Sequence, residues 1–213
     1  IMVSHRGADA ANGRISVHVH HNEIRNVTNG IALGGAFLQR AQFYENTVTN
    51  CGIGFNFDTG GNRGVVIRNN RFIDCVGGGS VNDGKAFEIR DNTFRLIAPS
   101  APRFAWWHNG MRLWDYTRGI LVEGNRFVFG GESKPGARGI LLHGKSVGLR
   151  TFKDDAGVWQ SEIDPNRFRN NSYSGLLPNM AGPQKPGQPM HLVVADRSVH
   201  LTGDGVPFTW LDD

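Results

Sequence analysis

One asparagine-centred pattern recurs along the first three quarters of the chain, and it limits the possible folds more than any other feature. The pattern is apolar-x-apolar-x-x-Asn-x-apolar. It occurs as Val17, Val19, Asn22, Ile24; as Ala41, Phe43, Asn46, Val48; as Val65, Ile67, Asn70, Phe72; as Phe87, Ile89, Asn92, Phe94; and as Ile120, Val122, Asn125, Phe127. A degenerate sixth copy reads Ser161, Ile163, Asn166, Phe168. The Asn-to-Asn spacings of 24, 24, 22, 33 and 41 describe a unit of about 24 residues with insertions in the last two.

Within each copy the apolar residues alternate, and a period of two belongs to a strand with one face inward. No helical period competes. The Asn is expected at a corner, because its side chain can bond neighbouring backbone and it tolerates the left-handed conformation. A second strand signal, Gly-apolar-x-apolar, follows as Gly30-Ile31-Ala32-Leu33, Gly54-Phe55-Asn56-Phe57, Gly110-Met111-Arg112-Leu113 and Gly139-Ile140-Leu141-Leu142. The third coil has only the weaker Gly78-Gly79-Ser80-Val81. The 29 Gly in 213 residues are about twice average usage and supply the turns that such short strands need.

Short strands joined by corners can pair only with the same strand of the next coil, which makes a parallel β-solenoid. With this pattern the chain resembles the right-handed parallel β-helix superfamily that includes pectate lyases, polygalacturonases and phage tailspikes. In that family a short corner between the second and third strands carries a ladder of stacked Asn, a position these six Asn match. The resemblance spans roughly residues 15 to 177 and implies an all-β, right-handed parallel β-helix of about six coils, with long loops flanking one strand face. On this reading residues 1–177 form the β-helix and 178–190 a Pro/Gly-rich linker. Residues 191–213 then form a short β-rich C-terminal cap over the open coil end.

Cys51 and Cys75 lie 24 apart, each five residues after its Asn, in a column with Val27 and Ile97. Coils about 4.8 Å apart would permit a disulfide, but the apolar column favours an interior stack of two free thiols.

In the resembling family the outer face of the first strand is where polysaccharide binds and reacts. Here that strand is the Gly-initiated one, and its outward positions form two columns. One runs Ala32, Asn56, Ser80, Arg112, Leu141, and the other Gly34, Asp58, Asn82, Trp114, His143. Insertions lengthen the flanking loops: 95–109 with Phe104, Trp106, Trp107 and His108; 128–138; and 143–160 with Lys145, Asp154, Asp155 and Trp159. Long loops on a rigid scaffold usually carry function, and an indole is a flat platform for a sugar ring. The substrate-binding candidates are therefore Asn56, Asn82, Trp106, Trp107, His108, Trp114, Lys145 and Trp159. A mini-core role for Trp106 and Trp107 stays open.

Subtracting a ten-residue insertion places Asp115 in register with Asp83, and Asp58 sits one position short in the preceding coil. Three Asp on consecutive coils would stand about 5 Å apart. Like charges that close leave one carboxyl protonated or draw in a cation. The first outcome is an acid and a base for glycosidic cleavage; the second is a Ca2+ that makes a uronate ready for β-elimination. Asp58, Asp83 and Asp115 are thus the catalytic candidates and the Ca2+ candidates, although Asp is equally a preferred turn residue. Arg112 can fix a carboxylate bidentately, and His143 is the imidazole carried with them.

Three motifs are set aside. Gly79-Ser80-Val81-Asn82-Asp83-Gly84-Lys85 has phosphate-loop spacing, but Ala86 stands where a hydroxyl must reach magnesium. His18, His20 and His21 lack the companions of a metal motif and read as a solvent-facing cluster. Gly144-Lys145-Ser146-Val147-Gly148 has the Gly-x-Ser-x-Gly spacing, but no helical period follows it as a nucleophile elbow requires.

Lys plus Arg at 23 against Asp plus Glu at 19 gives a net charge of +4, which tilts partners mildly towards polyanions. No apolar run is long enough for a spanning helix, and the opening Ile1-Met2-Val3-Ser4-His5-Arg6 carries no signal-peptide core. The expectation is a polysaccharide-binding and polysaccharide-degrading protein, a lyase or glycoside hydrolase acting on an acidic glycan. It would be extracellular, secreted or on a virion surface, without a nucleic-acid partner or a membrane span. The second reading is a non-catalytic glycan-binding adhesin or a structural tailspike or tail-fibre segment, commonly a homotrimer in the resembling family.

Overall fold

The computed structural model describes residues 1–4, 17–34, 40–57, 62–98, 108–130, 138–143, 149–175, 192–194, 201–202 and 208–210. Its strands fall into three parallel sheets that each take one strand per coil. Sheet A contains, in spatial order, Met2–Ser4, Asn29–Gly34, Ile53–Phe57, Gly77–Asn82, Asn109–Trp114, Arg138–His143, Leu192–Val194 and Phe208–Trp210. Sheet B contains His18–His20, Gln42–Tyr44, Val66–Arg68, Glu88–Arg90, Leu121–Glu123, Asn166–Arg169 and Leu201–Thr202. Sheet C contains Glu23–Arg25, Thr47–Thr49, Arg71–Cys75, Thr93–Ile97, Arg126–Gly130 and Ser172–Ser174. The chain winds from B to C to A and back to B, the arrangement that the repeat predicts. The last three strands join the ends of sheets A and B in parallel register, so they lengthen the solenoid.

The alternating residues fill the interior. Phe43, Ile67, Ile89, Val122 and Phe168 stack from sheet B, while Val48, Phe72, Phe94 and Phe127 stack from sheet C, all buried. The Phe72, Phe94 and Phe127 rings lie nearly parallel at 4.9 and 4.8 Å. The weak strand signal of the third coil now has a cause: a Cβ on inward-facing Gly79 would clash with the edge of the Phe55 ring. Gly79 leaves the space that this ring fills.

A second glycine, Gly78, belongs to a column in which each residue abuts the next coil. A Cβ there would run into the Gly110 carbonyl oxygen and lie 2.8 Å from Phe94 Cδ1, and Phe94 is clamped between its two stacked neighbours. Gly78→Ala is therefore expected to destabilise the fold by about 1–3 kcal/mol through overpacking. The denaturant midpoint checks this.

At the corner between sheets B and C the Asn ladder is continuous. The Asn70 side-chain oxygen accepts from Asn46 N–H at 3.0 Å and Asn46 Nδ2 at 2.9 Å, and Asn92 does the same for Asn70 at 2.9 and 3.0 Å. Each Nδ2 also donates to a strand carbonyl one coil back, as Asn92 does to Ile67 at 2.9 Å. Two expectations are corrected here. The left-handed residue is the one before the ladder Asn (His21, Glu45, Asn69, Asp91, Asn170), so the Asn is present for its side-chain bonds alone. The sixth rung is Asn171, which accepts from Asn125 N–H and Nδ2 at 3.0 Å each. Asn166 instead occupies the apolar position of that copy, where its oxygen accepts from Ile120 N–H at 3.0 Å.

Residues Leu149–Lys153 and Trp159–Ile163 form an antiparallel hairpin inserted after the sheet A strand Arg138–His143. Asp154 closes its turn, accepting from Ala156 N–H at 3.0 Å, Val158 N–H at 2.9 Å and Gln160 Nε2 at 2.8 Å. These bonds, the Gln160 amide first, hold its carboxyl below the usual range. Among the described residues no helix is long and apolar enough to cross a membrane.

Candidate functional site

The outer face of sheet A is built by strand register. Ala32, Asn56, Ser80, Arg112 and Leu141 align on successive coils, as do Asn82, Trp114 and His143 one column over. Side-chain contacts tie the middle of this face together. Trp114 Nε1 donates to Ser80 Oγ at 2.9 Å, and the Arg112 guanidinium lies 4.2 Å over the Trp114 ring. Ser80 and Arg112 face outward yet are only 4% and 9% exposed. An indole fixed by its own N–H and by a cation on its ring presents a pre-oriented surface, which lowers the entropy cost of holding a ligand.

At the strand exit Asp83 and Asp115 stand side by side on adjacent coils, with Asp83 N–H donating to the Asp115 carbonyl at 2.9 Å. The register deduced from the spacing is off by one here: pairing ends at Asn82 and Trp114 and resumes at Lys85 and Arg118, and the left-handed residues of this exit are Asp83 and Tyr116, so Asp115 is an extra residue in its coil. Thr117, fully buried, fixes the turn that follows by donating its hydroxyl to the Trp114 carbonyl. Lys85 Nζ lies 4.0 Å from Asp83 Oδ1, with both side chains mostly shielded from solvent.

Lys85 also belongs to a row the sequence reading missed. Arg63, Lys85 and Arg118 are bridged in register along three coils, and Arg40 N–H donates to the Arg63 carbonyl at 3.1 Å. The signal was legible: each of the three lies seven residues before its ladder Asn.

Several candidates fall elsewhere. His108 is fully buried, its Nδ1 3.0 Å from the Val76 carbonyl oxygen and its ring edge-on to Phe129 at 5.5 Å, so it is an interior residue and cannot touch a glycan on the outer face. Burial keeps its imidazole below the ordinary 6.5. Protonation then favours the unfolded chain, so this residue's stabilisation is fully present above about pH 6.5 and is lost as pH falls through the lower folded value. A thermal-midpoint profile between pH 7 and 5 is expected to drop more steeply for the native chain than for His108→Phe.

Trp159 sits on the hairpin, 70% exposed, with Lys153 Nζ 5.3 Å from its ring, and is not in register with either outer column. Asp58, Trp106, Trp107 and Lys145 lie outside the described residues. His143 is placed by backbone register alone. The histidine cluster is solvent-facing as expected, with His21 Nε2 2.6 Å from Glu45 Oε2 and His20 stacked on Tyr44 at 4.7 Å.

Of the three Ca2+ candidates, Asp58 lies outside the described residues, and the Asp83 carboxylate faces the Lys85 ammonium. Among the described residues no group of three or more His, Cys, Asp or Glu could hold a metal ion.

No curated protein and no solved structure matches this chain. A family model described as the right-handed beta helix region matches residues 3–127, more than half of the chain, over the same stretch that carries the first five ladder Asn and the Asp83, Arg112, Trp114 and Asp115 face. The chain belongs to the right-handed β-helix family.

Proposed function

We propose that this chain binds an acidic polysaccharide across the outer face of sheet A and cleaves its glycosidic bonds with Asp83 and Asp115. The observation that carries the reading is the juxtaposition of an ordered Trp114–Arg112–Ser80 platform with two Asp on adjacent coils at the adjoining strand exit. The indole supplies a face for a sugar ring. The row Arg63, Lys85 and Arg118 beside it supplies cations at the coil repeat of about 4.8 Å, close to the rise of one sugar ring along an extended uronan.

Glycosidic cleavage needs two carboxyl groups, one to protonate the leaving oxygen and the other to attack the anomeric carbon or activate water, and Asp83 and Asp115 are the pair proposed for these roles.

The test is incubation with a panel of acidic and neutral polysaccharides, with and without chelator, reading reducing ends and unsaturated uronate absorbance. Reducing ends without new absorbance, unchanged by chelator, are expected. New absorbance abolished by chelator would replace this mechanism with metal-assisted elimination, and silence on both readouts would leave a non-catalytic glycan-binding or structural solenoid.

A further inference from the structure

A second chemically competent site lies at the corner between sheets C and A. Cys51 and Cys75 occupy the same position on adjacent coils, where Val76 N–H donates to the Cys51 carbonyl at 3.0 Å. Both are free thiols, and both are buried. A cavity of about 210 Å³ lies against Cys51, lined also by Asn50, Gly52, Asp74, Val76 and Ile97. Asn50 is exposed, so the cavity reaches the surface. Cys75 is fully buried and is not among the lining residues, which puts Cys51 between the cavity and its neighbour.

The column differs from the expected one in a way that matters. A bulge between Arg95 and Leu96 sets Leu96, not Ile97, opposite Cys75. Asp74 takes up the extra residue in a left-handed conformation, φ 56°, and its carboxylate is held outside by Arg95 at 2.9 and 2.7 Å. Cys75 is thereby sealed from below while Cys51 faces the opening. One thiol can meet a reagent and the other can meet only its neighbour.

The geometry points to a thiol–disulfide exchange site in which Cys51 attacks a small linear disulfide entering the cavity and Cys75 resolves the adduct. In the first step the Cys51 thiolate forms a bond to one sulfur of the reagent and expels the other half as a thiolate. In the second, Cys75 loses its proton and attacks the Cys51 sulfur, expelling the second half. The two cysteines are oxidised to a disulfide, the reagent is reduced to two thiols, and the two cysteine protons end on the departing sulfurs. A coil separation of about 4.8 Å falls within the Cα range a disulfide spans, so the product needs no rearrangement of the solenoid.

The electrostatics agree with these roles. The hydrogen bond from Cys75 holds the Cys51 thiol down to about 7 from its ordinary 9.0, while that bond and burial push Cys75 up. Cys51 is therefore the thiolate near neutral pH, and the thiolate is the nucleophile.

The site is independent of the glycan reading, and its test does not use polysaccharide. The full chain is treated with 2-hydroxyethyl disulfide, whose two-carbon arms suit the small cavity, and followed by intact mass and peptide mapping. The native chain is expected to lose the mass of two hydrogens and yield a linked Cys51–Cys75 peptide with no retained adduct. Cys75→Ser is expected to retain one reagent half on Cys51, and Cys51→Ser to stay unmodified over the same time. The initial rate should fall about tenfold per pH unit below about 7. Cys75→Ala gives the same reading if serine is poorly accommodated in the interior. Reaction of Cys51→Ser at the native rate, a retained adduct on the native chain, or no reaction at all would overturn the assignment.

Discussion

Replacing Asn92 by alanine is expected to cost the fold about 3–5 kcal/mol, more than any other single polar substitution considered for this chain. Asn92 is 1% exposed and sits mid-ladder. Its oxygen accepts from Asn70 N–H and Nδ2 at 2.9 and 3.0 Å, and its amide donates to the Ile67 carbonyl and to Asn125 Oδ1 at 2.9 Å each. Alanine leaves the buried Asn70 N–H without its acceptor and removes a side-chain bond from the Ile67 carbonyl and from Asn125 Oδ1, and each such loss costs about 1–3 kcal/mol. The ladder runs head to tail, so its bonds polarise one another and the break is felt on both sides. Denaturant unfolding monitored by circular dichroism measures the loss. Arg95→Ala supplies the contrast: its two bonds to Asp74 are equally short, at 2.9 and 2.7 Å, but exposed, and the unfolding midpoint should hardly move. Comparable losses in the two variants would mean that the ladder does not carry the fold.

Asp83→Asn and Asp115→Asn are each expected to lower turnover on the cleaved glycan about 10²–10⁴-fold, the usual range for removing an acid or base group. Substrate affinity should change far less, because the Trp114 and Arg112 platform is untouched. Asn preserves shape at both positions, and at Asp83, where φ is 48°, it also tolerates the left-handed backbone, so folding is not the variable. The anomeric configuration of the first product, read by proton NMR early in the reaction, assigns the second carboxylate: retention makes it the nucleophile and inversion makes it the base that activates water. Full turnover in both variants would move the chemistry away from this strand exit.

The period of the ladder Asn was enough to give the coil and the register of five rungs, because a strand in a solenoid has no pairing partner other than its copy one turn later. The same logic aligned Ser80 with Arg112 before any coordinates and came within one residue for Asp83 and Asp115. It failed where an insertion interrupted the count. Ahead of the last rung the hairpin Leu149–Ile163 hides the true spacing, and a second Asn at 166 imitates the ladder residue. At His108 the insertion that precedes it suggested a loop, yet the residue enters the interior.

What the sequence by itself determined is whatever depends on periodicity: parallel pairing, which columns face in, and which side chains share a column on neighbouring coils. Tertiary structure alone decided burial and partnership: that outward-facing Arg112 and Ser80 are shielded, that the left-handed burden falls one residue before each ladder Asn, and that Cys51 meets a cavity while Cys75 does not. The physical reason is that register follows from counting along one chain. Shielding and hydrogen bonding depend on which atoms of distant coils and loops arrive at the same point, and no local pattern encodes that distance.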